Sequence, residues 1–76
     1  MIKITHRSGH GLALQRIRRR LGVTRQQIAD LLGVSVTAIR LWEIEHHPLS
    51  RPALLMYAAL ARRARLPWIA AVLEAA

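Results

Sequence analysis

The chain has 76 residues, enough for one domain with a modest core and no more. It contains no cysteine, which excludes disulfides and thiolate metal sites, and its apolar runs around 53–61 and 67–73 are too short to cross a bilayer. Twelve basic residues, eleven of them arginine, stand against Asp30, Glu43, Glu45 and Glu74; the net charge of +8 points to a polyanionic partner, nucleic acid ahead of an anionic membrane.

In chain order, residues 1–11 read as an N-terminal arm. MIKIT alternates apolar and polar residues, the pattern of a short edge strand, and Ser8, Gly9 and Gly11 then interrupt regular structure. Such an arm pairs with a second subunit or touches DNA; the plainer alternative is a frayed terminus. Lys3 and Arg7 have no apolar stretch behind them, so the segment is not a secretory signal.

Residues 12–76 read as a domain of five helices. Leu14, Ile17 and Leu21 share one face of a first helix, Leu12 to Leu21, closed by Gly22. A second helix starts at Arg25, with Thr24 and Gln27 spaced as a capping box, and must stop at Gly33, where glycine tolerates left-handed angles. Ser35 caps a third helix of about Val36 to Ile44. Small Ala29 lets these two helices cross closely, and Ile28, Leu32, Val34, Ile39 and Trp42 form the wedge between them. Val36, Thr37, Arg40 and Leu41 are left protruding. Ser50 caps a fourth helix that runs to about Arg63, with Pro52 in its first turn. Its seam is Leu54, Ala58 and Ala61, widened by Leu55 and Met56. Pro67 opens a fifth helix, 67–75, whose Trp68, Ile69, Val72 and Leu73 exceed what a short lid needs. Some of that surface must cover the core, and the remainder of the four is the candidate dimer contact; the alternative is that the helix only covers its own core.

The unit 25–44 has a small residue at 29, glycine four on, and a β-branched apolar residue six further on. It resembles the helix-turn-helix of the lambdoid phage repressor and Cro family, also called the XRE family, from about Leu14 to Leu60. An ordinary helical hairpin is the alternative. The resemblance implies an all-α, five-helix, lambda-repressor-like DNA-binding domain. It implies that Val36, Thr37, Arg40 and Leu41 face base edges in the major groove, with Arg40 the guanine reader. Thr24, Arg25, Ser35, His47 and Arg51 fall where phosphate contacts are expected. Family members pair an arginine at the position of Arg18 with a glutamate at the end of helix 3, here Glu43. Glu45 stands where relatives often have glycine, and Pro48 comes one position early, so the loop after helix 3 departs from the family pattern.

By the same resemblance the expected partner is a near-palindromic double-stranded operator bound by a homodimer, with repression or autorepression as outcome. The size matches small phage and mobile-element regulators. No cofactor is expected, and the setting would be the cytoplasm, at the nucleoid. An enzyme is disfavoured because no carboxylate pair has acid–base spacing and two of three serines read as helix caps. His6 and His10 are four apart, but Gly9 argues against the helix that would make them metal ligands. A second function class is the antitoxin of a toxin–antitoxin pair, with helix 5 binding the toxin. A third, an amphipathic membrane binder built from helices 4 and 5, predicts liposome binding.

Overall fold

A computed structural model describes residues 10–76. Among them are five helices and no strand: α1 Gly11–Leu21, α2 Arg25–Leu32, α3 Val36–Glu43, α4 Arg51–Arg63 and α5 Pro67–Ala75. The strand expected in MIKIT and most of the expected arm lie outside the described residues. Gly11, read as part of that arm, is instead the first residue of α1. Its reason is contact, not flexibility: a β-carbon there would run into the Glu43 carbonyl and the His46 ring.

The boundaries follow from local chemistry. The Thr24 hydroxyl accepts from the Gln27 amide at 3.1 Å, and the Gln27 side chain accepts from the Thr24 amide at 2.8 Å. Ser35 and Ser50 accept from the amides of Ala38 and Ala53. Both α1 and α2 end on glycines with φ +71, Gly22 and Gly33, and the amide beyond each turns back: Val23 to the Arg18 carbonyl, Val34 to that of Ala29. α4 ends differently. Arg65 takes the left-handed position, φ 63, while the Leu66 amide donates to the Ala61 carbonyl at 2.8 Å.

The core is a single cluster. Leu14 and Ile17 of α1, Ile28, Ala29 and Leu32 of α2, and Ile39 of α3 meet Leu54, Tyr57, Ala58 and Ala61 of α4. Leu66, Ile69, Ala70 and Leu73 close it from the far side. The expected seam on α4 is therefore present, but Leu55 and Met56 do not widen it; both point outward. Ile69 and Leu73 correct the expectation for α5: they are core residues, so only Trp68 and Val72, more than half exposed, remain on its outer face. The reason is the helical period, since 69 and 73 lie one turn apart on the side that meets α4. No helix among the described residues is long and apolar enough to cross a membrane.

Candidate nucleic-acid interface

α2 and α3 pack against each other with Ala29 fully buried, and this packing sets which side of α3 faces out. Ile39 and Glu43 turn inward; Thr37, Arg40 and Leu41 turn outward. With Ile44 and Glu45 they line a shallow hollow on the outer surface. The Arg40 guanidinium has no hydrogen-bond or ion-pair partner among the described residues. Val36 departs from its expected place: it is half-buried and packs against the core, so it contributes an edge rather than a full face. Ile44 and Glu45 join this face beyond the four residues expected from sequence, one helical turn after Arg40 and Leu41.

The rigid base of this face is a buried carboxylate. Glu43 is 0% exposed, the one charged residue in the described core. Arg18 donates from Nε to both of its oxygens, at 2.9 Å to Oε2, and Arg25 donates from Nε to Oε1 at 3.0 Å. Two charge-assisted partners offset the desolvation that a lone buried carboxylate would suffer. The Gln15 side chain donates to the Glu43 backbone carbonyl at 2.8 Å, tying α1 to the end of α3. Arg18 also donates to the Val23 carbonyl at 3.3 Å. One residue thus fixes α1, the start of α2 and the end of α3 relative to each other. The sequence pointed to Arg18 for this role through the family resemblance; nothing in its pattern singled out Arg25 or Gln15.

The residues expected at phosphates are placed as follows. Thr24 and Ser35 stand at the N-termini of α2 and α3, where each first turn has amides without intrahelical acceptors. Arg25 is at the same end of α2, its side chain 35% exposed, with Nε held by Glu43. His47 is exposed in the loop after α3, beside His46, which has φ 56. Arg51 is not turned to that loop. It donates to the carbonyls of Ala76 at 2.7 Å and Glu74 at 3.3 Å, closing the C-terminal end of α5. Among the described residues no cluster of histidine, aspartate and glutamate could hold a metal ion.

A buried three-helix seam carrying an exposed helix with a free arginine defines a helix-turn-helix DNA-binding domain. A family model described as helix-turn-helix matches residues 14–64, two-thirds of the chain. The protein belongs to this XRE-type helix-turn-helix family and is a DNA-binding transcription regulator of that type. The family is generally non-enzymatic. No curated protein and no solved structure matches the chain significantly.

Proposed function

We propose that the protein is a repressor, or an autorepressor, that binds a near-palindromic operator as a homodimer. α3 lies in the major groove, with Arg40 donating to a guanine edge and Thr37 and Leu41 meeting neighbouring bases or thymine methyls. Thr24, Ser35 and the α2 and α3 amides beside them take phosphates, and Arg25 turns its free guanidinium nitrogens to the same strand. His47 is a weaker contact of the same kind. Arg51, occupied at the end of α5, drops out of the set. The observation that carries the reading is Arg40: an exposed, unpartnered guanidinium on a helix whose opposite side is locked in the core. Val36 and Leu41 offer no polar group, so specificity rests on few hydrogen bonds and on DNA shape.

Trp68 and Val72 supply the dimer contact in this reading. Two reading helices related by a twofold axis would lie about 34 Å apart on one face of the duplex. The same outer face of α5 favours the second reading, an antitoxin that docks a toxin there while repressing its own operon. Co-purification of a small toxin protein with the chain, lost on Trp68→Ser, would select it.

Selection of bound sites from random duplexes tests the main proposal. A consensus of two inverted half-sites is expected; a single asymmetric site bound by a strict monomer overturns the dimer. Arg40→Ala should cost about 1–3 kcal/mol on the selected operator and far less on random DNA. Equal losses on both would remove Arg40 as the reader.

A further inference from the structure

We propose that the outer side of α1 is a second polyanion-binding surface, which takes the phosphate backbone of a DNA segment other than the one held by α3. Arg16, Arg19 and Arg20 project there and, with Leu12 and Gln15, line an open hollow of about 490 Å³. Arg16 and Arg20 have no partner among the described residues, and Arg19 reaches only the neutral Gln15 side chain at 3.4 Å. α1 contains no acidic residue. None of the four carboxylates lines this hollow: Glu43 is taken by Arg18 and Arg25, Glu74 by Arg62, Asp30 stands on α2 beside Gln26, and Glu45 lines the hollow on α3. The hollow is thus lined by positive charge without a carboxylate, the complement of a polyanion.

The side of the helix on which these arginines stand makes the surface a separate one. Arg18 marks the side of α1 that meets the end of α3, and Gln15 stands at the border between that side and the hollow. At 3.6 residues per turn, Arg16 and Arg20 each lie about 160° round the helix from Arg18. Arg16 and Arg20 are one helical turn apart, about 6 Å along the axis, and a DNA strand carries a charge every 3.4 Å or so of its axis, so two guanidiniums follow one strand without distortion. An acidic protein helix is the less suited occupant. It would need an apolar seat several residues long, and this stripe has only Leu12, at one end.

The test separates the two surfaces with two readouts on the full chain. Beads carrying one mixed-sequence duplex capture the protein, and a fluorescent duplex of different sequence reports bridging. Combined Arg16→Ala, Arg19→Ala and Arg20→Ala should cut bridging by about tenfold or more at moderate salt, since each lost phosphate contact removes close to one unit of log–log salt slope. Capture by the first duplex should change less than about twofold, and circular dichroism should show the same helix content. The inference is overturned if capture and bridging fall together, which puts α1 on the same duplex. It is equally overturned if bridging persists, which assigns it to the two reading heads of a dimer. Binding of polyglutamate through these arginines with no DNA bridging would overturn it in favour of an acidic protein partner. Because the surface reads no base, Arg40→Ala leaves its contribution intact, so failure of the operator model and failure of this one look different.

Discussion

The two halves of the molecule are held by different means. In the α1–α2–α3 half, position is set by directed bonds: a capping box at Thr24, a cap at Ser35, glycines at both left-handed ends, and two arginines on one buried carboxylate. In the α4–α5 half the directed bonds lie at the surface, in the Ser50 cap, the Arg62–Glu74 pair and Arg51 on the last carbonyls, and the buried contact is close approach of small side chains. Ala53, Ala58, Ala61, Ala64 and Ala70 are all buried, and α5 has no side-chain cap. Directed bonds define the angle of a helix to within their own tolerance, which a reading helix requires. Alanine packing gives proximity with little angular definition, which suffices for an element whose task is to close a core.

The sharpest way to break this contrast is at Glu43. Glu43→Ala would leave Arg18 and Arg25 without their carboxylate in a buried seam, a change that typically costs about 3–5 kcal/mol. For a domain this small that approaches the whole stability. Urea denaturation should find the variant largely unfolded, with Glu43→Gln intermediate because the amide still accepts. A loss under about 1 kcal/mol would mean the cluster is solvated and does not set the helix angles.

The packing half answers to volume. Ala61→Leu inserts a branched side chain where α4 meets the core, and overpacking of that kind costs about 1–3 kcal/mol. The expected signature is a lower urea midpoint with operator affinity per folded molecule unchanged. An equal loss of affinity would show that the orientation of α3 depends on α4 as well.

The contrast also explains what the sequence could and could not disclose. Caps, glycine stops and the 3.6-residue period are local, so all five helices and the outward side of Thr37, Arg40 and Leu41 were legible from spacing alone. Gly11, Gln15 and Arg25 act across α1, α2 and α3 over separations of 18 to 35 residues, and their local context looks like any solvent-facing helix start. Ile69 and Leu73 misled for the converse reason. Composition showed that α5 was too apolar for a lid, but only the direction of its contact with α4 divides the surplus into core and surface.

A smaller gain is available at Arg65. It occupies the left-handed position that glycine fills at Gly22 and Gly33, which costs an L-residue roughly 1–2 kcal/mol. Arg65→Gly should therefore raise the unfolding free energy by about 1 kcal/mol, read as a higher urea midpoint, part of the relief being returned as added freedom of the unfolded chain. No change, or a loss, would show that the arginine side chain contributes there.

Tyr57 stands where the two halves meet, and it has the smallest expected effect. Its ring packs edge-on to Trp42 with centroids 6.4 Å apart, while its hydroxyl is buried with no hydrogen-bond partner among the described residues. Burial, and then the negative charge of Glu43, push its pKa well above the ordinary 10.0, with Arg18 opposing. A group whose folded-state pKa is raised favours folding in its protonated form. Stability is thus complete below pH 10.0 and declines as pH climbs from there toward the folded value. Tyr57→Phe keeps the ring contact and removes both the unsatisfied hydroxyl and this decline. At neutral pH it should be neutral or stabilising by up to about 1 kcal/mol, since an unpaired buried hydroxyl contributes nothing to offset its desolvation. Above pH 10.0 the gap between variant and parent should widen in chemical denaturation. A variant less stable than the parent at neutral pH would mean that the hydroxyl has a bonding partner in solution and belongs to the directed half of the molecule.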